Sequence, residues 1–384
     1  MPRILILAGE ASGDLHGASL ARSLAQRSPG IELAGLGGAK MEAAGVRLLS
    51  GIERLDIIGL PTLSELRRAL AVFKKLSQHI ATTSYDAVVL IDNPGLNLRL
   101  ARVARRNGHR VIYYIAPQIW AWNERRIKKL RKYVDRLLVI LPFEEAYFRK
   151  AGVDCRFVGH PIMDQLPAAF DVSGLRAAFG LDPAAPVIGL LPGSRQSEVQ
   201  RLLPVMLEAA QRLAKSASDA RAPRQFVLAH ASAVPLPLIE SFTSPSGLSV
   251  KVISDRAYDV IAACDVLMVA SGTATLQTAL VGRPMTIVYR TSALGAFVFR
   301  RLIKVPWIGL ANLIAGRQIA KELVQEELTG DRLADETGRI LADPNGLAEA
   351  ESIASELRAK LGAAGASHRA AAEIIAMIEQ APRP

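Results

Sequence analysis

The chain has 384 residues, 50% of them hydrophobic, so it exceeds what one hydrophobic core usually supports, and we predict two domains. Lys and Arg outnumber Asp and Glu by 47 to 36, and the resulting net charge of +11 favours anionic partners. The two cysteines, Cys155 and Cys264, have no CxxC spacing, which argues against a disulfide framework or a zinc site and fits a reducing cytoplasm.

Two apolar stretches stand out in the sequence, and neither has the length and composition of a membrane-spanning segment. The apolar run at residues 4–8 is too short for a signal-peptide core and predicts a first strand instead. The longest uncharged stretch, residues 266–282, is interrupted by polar side chains. We therefore predict no transmembrane helix.

Short apolar runs alternate with longer segments of helical period, which is typical of βα units and parallel sheets. In the first half, strands are predicted at residues 3–8, 87–91, 110–115 and 136–140, with helices between them such as residues 15–26. In the second half, strands are predicted at residues 187–191, 225–229, 250–253 and 266–270. This pattern predicts an α/β fold of two Rossmann-like, doubly wound domains facing a central cleft.

The domain boundary is expected where periodicity is lost. Residues 164–173 contain a proline and polar turn residues, which predicts the linker. We expect domains at residues 1–165 and 166–355, followed by a helical tail, residues 356–384, that packs back on the first domain.

The first candidate phosphate loop follows the predicted strand ending at Leu191 and contains Gly193, Ser194 and Arg195. A glycine lets backbone amides approach a phosphate, the following helix N-terminus adds partial positive charge, and an arginine supplies a fork of donors. The alternative is a structural turn in which Arg195 pairs with a surface glutamate.

A second candidate loop follows the strand predicted at residues 266–270 and opens another helix. Small hydroxyl residues and free backbone amides there would contact the same diphosphate. The residues of this loop are Ser271, Gly272, Thr273, Ala274 and Thr275. Ordinary helix N-caps formed by Ser271 and Thr273 are the alternative. Two such loops in one domain favour the phosphate site.

The loop after the first strand contains Glu10, Ser12, Gly13 and Asp14. It lacks the GxGxxG spacing of dinucleotide sites and the GK[ST] ending of a P-loop, which argues against NAD and ATP. Glu10 or Asp14 could accept hydrogen bonds from a sugar, although Asp14 is equally suited to capping a helix. These four residues are candidate substrate contacts, and His16 is interpreted as packed or solvated.

Asp92 follows another predicted strand and precedes a turn of Asn, Pro and Gly. A carboxylate at such a strand end could take the proton of an attacking sugar hydroxyl, which is the general-base step of a displacement. The alternative is a simple turn former.

Three segments are rich in basic residues. Residues 66–76 have the pattern of an interfacial helix or of a core helix with a solvated face. Residues 120–132 combine tryptophans with Lys and Arg, but no nucleic-acid-binding signature accompanies them, so we predict no nucleic-acid partner. Residues 294–307 interleave aromatic and basic side chains, which suits an anionic bilayer, an acyl chain or a domain-closing helix.

Taken together, these residues resemble the lipid-A-disaccharide synthase family over nearly the whole chain. The motifs that carry the resemblance are residues 8–14 (AGEASGD), 35–41 (GLGGAKM), 91–97, 118–122 (QIWAW), 141–144, 157–161 (FVGHP), 191–195, 270–276 and 312–315.

The resemblance implies an inverting glycosyltransferase of GT-B fold with no metal or other cofactor. It implies transfer of 2,3-diacylglucosamine from its UDP derivative to 2,3-diacylglucosamine 1-phosphate, giving a β-1,6 disaccharide and UDP. By motif, Asp92 is the proposed general base, Arg195 contacts the diphosphate or uridine, residues 271–275 form the phosphate loop, and Asn312 lies at the cleft. Anionic lipid substrates imply a cytoplasmic enzyme peripherally bound to the anionic inner membrane, and a homodimer is left open.

Three positions depart from the family pattern. Gly95 stands where the family commonly has a second carboxylate, and Ala311 stands where a proline often precedes Asn312. At Gln277 many related transferases have a glutamate that binds the ribose hydroxyls, and the glutamine can accept through its carbonyl but brings no charge.

These departures leave alternatives open. One is another UDP-sugar enzyme of GT-B fold, such as a wall glucosaminyltransferase or a UDP-sugar epimerase. The other is a non-catalytic, membrane-bound nucleotide-sugar sensor, which the changes at Gly95 and Gln277 favour and the retained Asp92 opposes.

Overall fold

A computed structural model describes residues 1–9, 11–49, 63–122, 124–216, 223–291 and 305–380 of the protein. The chain forms two compact units, one of Met1–Asp164 with Leu361–Pro384 and one of Gln165–Lys360. The first crossing between units lies within the stretch proposed as the linker. The second crossing comes a few residues after the expected start of the tail at residue 356.

The first unit is built on a seven-stranded parallel sheet in the order β3-β2-β1-β4-β5-β6-β7. Its strands are β1 (Arg3–Ala8), β2 (Glu32–Leu36), β3 (Arg47–Leu48), β4 (Ala87–Ile91), β5 (Arg110–Tyr114), β6 (Arg136–Val139) and β7 (Cys155–Phe157). The β4 run AVVLI is buried along its whole length, as expected of a central parallel strand covered on both faces.

Helices cover both faces of this sheet. They are α1 (Ala11–Arg27), α2 (Ala39–Ala43), α3 (Leu63–Thr82), α4 (Pro94–Arg106), α5 (Ile119–Trp122), α6 (Ile127–Tyr133) and α7 (Pro142–Lys150). The last helix of the chain, Ala366–Glu379, also belongs to this unit. Its Ala370, Ala371 and Ile374 are fully buried in the same core as β1 and α1.

The second unit has a six-stranded parallel sheet in the order β10-β9-β8-β11-β12-β13. Its strands are β8 (Val187–Leu191), β9 (Gln225–His230), β10 (Val250–Ser254), β11 (Val266–Ala270), β12 (Met285–Tyr289) and β13 (Glu322–Val324). Its helices are α8 (Val172–Ala178), α9 (Gln196–Lys215), α10 (Leu236–Thr243), α11 (Ala257–Ala263), α12 (Thr273–Val281), α13 (Leu310–Ala315), α14 (Gly330–Leu341) and α15 (Gly346–Leu361).

Both sheets reverse their strand order beside their first strand. The reversal lies between β1 and β4 in the first unit and between β8 and β11 in the second. Ligands of open α/β sheets bind outside the carboxyl ends of the strands at such a switch point. The predicted doubly wound, Rossmann-like class is therefore confirmed, and the loops after these four strands are where a site is expected. No helix in the described ranges is long and apolar enough to span a bilayer.

Candidate active site

A pocket of about 500 Å³ lies at the carboxyl edge of the second sheet. Its walls come from the segments that follow four adjacent strands, β10, β9, β8 and β11. Eight of the residues proposed from the sequence line it: Gly193, Ser194, Arg195, Ser271, Gly272, Thr273, Ala274 and Gln277. The two candidate phosphate loops thus meet in one pocket.

The loop after β8 is shaped by Gly193, whose φ is +111°. A Cβ at this position would lie 2.4 Å from Oε2 of Glu198, so only glycine fits. The Glu198 carboxylate accepts from the Ser194 amide at 3.1 Å and from the Arg195 guanidinium at 2.8 Å. This is the pairing that the structural alternative predicts. It also shows that these two donors are oriented to hold an oxyanion.

The loop after β11 leads into α12 through Gly272. This residue has a φ of +148° and is the N-cap of α12, and no side chain caps the helix. Ser271 instead donates its hydroxyl to the carbonyl of Ile308 at 2.9 Å. The interpretation of Ser271 and Thr273 as ordinary N-caps is therefore wrong. The N-terminus of α9 also has no side-chain cap, so two such helix ends meet at this pocket.

Thr275 does not face the pocket. It is fully buried, donates its hydroxyl to the Gly272 carbonyl at 2.8 Å and accepts from the Ala311 amide at 3.4 Å. The expectation that Thr275 contacts phosphate is therefore wrong, because its hydroxyl is used to fold the loop.

Asn312 is also a structural residue. It is fully buried, its amide nitrogen donates to the Ala320 carbonyl at 2.8 Å and to Glu322 at 2.7 Å, and its oxygen accepts from the amides of Ile319 and Ala320. Glu322 in turn accepts from the Ile308 amide at 2.9 Å. The expected place of Asn312 at the cleft is therefore wrong. Its hydrogen bonds instead hold Glu322, which binds the Ile308 amide, and the Ile308 carbonyl in turn accepts from Ser271.

Two polar residues of the pocket wall were missed from the sequence. His230 ends β9, and its ring nitrogens lie 2.8 Å from the Ser254 hydroxyl and 2.7 Å from the Val234 carbonyl. Asp255 follows β10 with a φ of +55°, and the hydrogen bond from the Ser232 amide lowers the pKa of its carboxyl. Their place directly after predicted strands is the signal that could have found them.

In the first unit, Asp92 lies at the switch point directly after β4, and its side chain is partly buried. Asp92 and Asn93 have φ values of +47° and +42°, so two consecutive non-glycine residues are left-handed. The Asp92 carbonyl accepts from the Asn97 side chain at 2.8 Å and from the Tyr113 hydroxyl at 2.5 Å. These two donors hold the strained turn that presents Asp92 at the sheet edge.

The loops after β1 and β4 touch each other. A Cβ on Gly9 would lie 2.3 Å from Nδ2 of Asn93, so the Asn93 side chain packs directly on the Gly9 backbone, where a larger residue would displace it. Gly13 packs on β1 in the same way, since its Cβ would lie 3.2 Å from that of Ala8. Ser12 is exposed in the first turn of α1. Glu10 lies outside the described residues.

Asp14 has a structural role. It is 5% exposed, and its carboxylate accepts from the amides of Gly38 at 2.7 Å, Met41 at 3.1 Å and Lys40 at 3.3 Å. The proposal that Asp14 binds sugar is therefore wrong, because its oxygens serve the N-terminus of α2.

Glu144 is a buried carboxyl near Asp92 that only the family motif had indicated. It is 1% exposed, and it accepts from the Trp120 indole at 3.0 Å and from the Leu141 amide at 3.2 Å. Burial raises its pKa to about 7, and the charge of Asp92 acts in the same direction.

Comparison with known proteins decides the family. A family model described as Lipid-A-disaccharide synthetase matches residues 4–376. The chain belongs to the lipid-A-disaccharide synthase family. Lipid-A-disaccharide synthase of Geobacter sulfurreducens is 42% identical over 377 residues, covering 98% of this chain and 97% of that protein. The enzyme of the same name from Syntrophus aciditrophicus is 43% identical over 381 residues, covering 98% of each.

Solved structures show the fold of this synthase family member. The S. aureus MnaA-UDP co-structure aligns with a TM-score of 0.66 and 13% identity over 100% of this chain and 99% of that one. Anabaena Alr3699/HepE in complex with UDP and glucose aligns with a TM-score of 0.56 and 14% identity over 98% and 100%. The GT-B fold, the family and the glycosyltransferase class predicted from the sequence are thus confirmed. The whole-chain family match gives no support to the epimerase, wall-transferase or sensor alternatives.

Proposed function

We propose that the protein transfers 2,3-diacylglucosamine from its UDP derivative to 2,3-diacylglucosamine 1-phosphate, forming the β-1,6 lipid A disaccharide 1-phosphate and UDP. The observation that carries the proposal is the pocket of the second unit, where α9 and α12 begin without side-chain caps. Backbone amides at such helix ends bind phosphate oxygens. The name shared by relatives at 42–43% identity supports the lipid substrates.

The donor diphosphate would be bound by both loops of this pocket. Gly193 and Gly272 let the backbone come close, and the amides of Ser194 and of the first turn of α12, Thr273 and Ala274, supply donors. The Ser194 amide and the Arg195 guanidinium, which both donate to Glu198, would exchange that carboxylate for the diphosphate, and Arg195 would stabilise the charge that develops on departing UDP. Gln277, one turn further along α12, lines the same pocket and would accept from the ribose hydroxyls through its carbonyl.

The acceptor would be activated by Asp92. As the acceptor hydroxyl oxygen bonds to the anomeric carbon, the bond from that carbon to the UDP oxygen breaks, and the hydroxyl proton passes to the Asp92 carboxylate. A single displacement of this kind inverts the anomeric configuration. Ser12, exposed next to this switch point, is a candidate contact of the acceptor.

Reaching two anionic lipids requires a membrane surface, so we propose peripheral association with the cytoplasmic face of the inner membrane. Residues 66–76 lie in α3, where the side chain of Leu70 is 51% exposed and would be available to a bilayer interface. Most of residues 294–307 lies outside the described residues. Homodimer formation stays a prediction.

Asp92→Asn tests the proposal. The variant keeps the shape of the side chain and removes the base, so kcat should fall by roughly 10²- to 10⁴-fold while UDP affinity stays unchanged. Disaccharide formation from the two acylated substrates is read by mass spectrometry. Asp335→Asn, at an exposed position of α14, is the matched control. A normal rate for Asp92→Asn would remove this residue from the base role.

A further inference from the structure

Tyr258 lies beside the pocket of the second unit, in the first turn of α11. The residue before it, Ala257, lines that pocket, and so does Gln277 on α12. The two helices pack against each other. The ring of Tyr258 is partly buried, and its hydroxyl oxygen is shielded from solvent. A tyrosine hydroxyl therefore lies under the wall of the candidate donor site.

This hydroxyl lacks a hydrogen bond. In the part of the chain that the structure describes, no group meets hydrogen-bond geometry with the Tyr258 oxygen. A buried hydroxyl without a partner costs free energy, and few such groups occur in folded proteins. A polar neighbour is nevertheless at hand, because the side-chain amide of Gln277 is close enough to influence the phenol. Burial raises the pKa of Tyr258, and Gln277 acts in the opposite direction.

The direction of that influence indicates which end of the amide faces the tyrosine. A hydrogen bond donated to a phenolic oxygen favours its charged form and lowers its pKa, and only the NH₂ end of an amide can donate. The NH₂ group of Gln277 therefore faces Tyr258. The carbonyl oxygen of Gln277 is then the end that remains for a ligand in the pocket.

A glutamine at this position needs a fixed orientation that a glutamate would not need. Both oxygens of a glutamate accept hydrogen bonds, so either one can serve a ribose hydroxyl. In Gln277 only the carbonyl oxygen accepts, and the NH₂ group has to donate elsewhere. A nearby acceptor for the NH₂ group would select the orientation that suits the ribose, and the Tyr258 oxygen is such an acceptor.

We propose that Tyr258 is a positioning residue for nucleotide recognition, whose hydroxyl oxygen accepts from the Gln277 amide and so directs the Gln277 carbonyl to the ribose hydroxyls of UDP. This hydrogen bond closes as the ribose binds, which gives the buried hydroxyl its partner. Tyr258 acts through Gln277 and does not touch the nucleotide. The inference rests on the proposed donor site and adds to it a determinant of selectivity for ribonucleotides.

Tyr258→Phe tests the inference because it removes the hydroxyl and keeps the ring. Isothermal titration measures the affinity for UDP and for its 2′,3′-dideoxy analogue, which lacks both ribose hydroxyls. The same substitution is made in a Gln277→Glu background, where the carboxylate needs no orienting partner. Tyr147→Phe, at a partly buried position of α7 in the first unit, is the matched control.

Tyr258→Phe should bind UDP roughly fivefold more weakly than the wild type and the dideoxy analogue equally well. In the Gln277→Glu background, loss of the hydroxyl should change UDP affinity by less than about twofold. Urea unfolding without nucleotide should show no loss of stability in Tyr258→Phe, because the hydroxyl has no hydrogen bond to lose. The control should match the wild type for both nucleotides.

An unchanged UDP affinity of Tyr258→Phe would overturn the inference. Equal losses for UDP and the dideoxy analogue would overturn it as well, since the tyrosine would then act on another part of the pocket or on its stability. These titrations contain no acylated sugar. A wild type that shows the expected pattern but forms no disaccharide would therefore contradict the proposed reaction alone.

Discussion

Arg195 is half exposed and pairs with a single carboxylate, so a ligand can replace that carboxylate with little loss of free energy. Its ion pair with Glu198 joins neighbours on one helix turn, and such exposed pairs contribute little to stability. A guanidinium bound to a diphosphate makes charge-assisted hydrogen bonds of roughly 1.5–3 kcal/mol. The same side chain can therefore be dispensable for folding and important for binding UDP.

Arg195→Ala should accordingly weaken UDP binding by roughly 10- to 100-fold and leave the free energy of unfolding nearly unchanged. Isothermal titration with UDP and urea unfolding check the two parts. Arg201→Ala, at an exposed position of the same helix, is the control. An unchanged UDP affinity would contradict the diphosphate assignment.

For Asn312 we predict the opposite, a loss of stability, because all of its side-chain polar atoms form hydrogen bonds inside the protein. Asn312→Ala should lower the free energy of unfolding by roughly 2–4 kcal/mol, since it removes one hydrogen bond of Glu322 and those of the Ala320 carbonyl and of the Ile319 and Ala320 amides. Urea unfolding measures this loss, with the exposed Asn345→Ala as control. If the variant kept normal stability but lost activity, Asn312 would contact substrate and the structural role would be contradicted.

At the scale of elements, the turn after β4 stores strain next to the proposed base. Two left-handed non-glycine residues cost about 1–2 kcal/mol each, and hydrogen bonds from Asn97 and Tyr113 hold them in place. Tyr113 is fully buried on β5, and burial together with the charge of Asp92 raises its pKa well above the ordinary value. It stays a neutral donor at any physiological pH.

Tyr113→Phe should therefore lower kcat several-fold with little change in KM, because the turn loosens while the substrate contacts remain. The expected loss of stability is only about 1 kcal/mol. Steady-state kinetics separates the two parameters. Tyr114→Phe removes a buried hydroxyl from the next position of β5 and should leave kcat unchanged. If the two variants behave alike, the turn is not positioned by Tyr113.

The strands differ in how well the sequence predicts them. The predicted bounds of β1, β4, β8 and β11 are correct, because these central strands are unbroken apolar runs with turn residues after them. Five others, β2, β3, β7, β12 and β13, were not predicted. β3 and β7 have two and three residues, too few for any periodic signal, and β12 carries the polar Thr286 within its run.

At the scale of the whole molecule, folding leaves His160 buried and neutral. It is 6% exposed, and burial, with a smaller effect of His16, lowers its pKa to about 3. The unfolded chain takes up this proton near pH 6.5, so between pH 6.5 and 3 the unfolded state binds more protons. Stability from this residue is therefore lost progressively as the pH falls through that window.

We expect His160→Gln to reduce the loss of unfolding free energy between pH 7 and pH 5 by roughly 2 kcal/mol relative to the wild type. Urea unfolding at both pH values gives the difference. Glu144 acts in the opposite sense. Because its pKa is about 7, its contribution to the free energy of unfolding falls as the pH rises from 4.5 to 7. Glu144→Gln should therefore lose more unfolding free energy than the wild type between pH 7 and pH 5. If the wild type and both variants lost the same amount, both assignments would be contradicted.

The sequence by itself determined the family, the two Rossmann-like units, the central strands and the loops that carry Gly193–Arg195 and Ser271–Ala274. Hydrophobic periodicity and turn residues along continuous stretches of the chain indicate those features. Only the tertiary structure decided that Asp14, Thr275 and Asn312 are internal, because a residue's burial depends on partners distant in sequence. The amides that occupy Asp14 come from residues 38–41. The sequence also predicted a helical tail that packs back on the first domain. Only the tertiary structure showed the contacts that hold it, such as the hydrogen bond from Arg110 of β5 to the carbonyl of Met377, because they join residues distant in sequence.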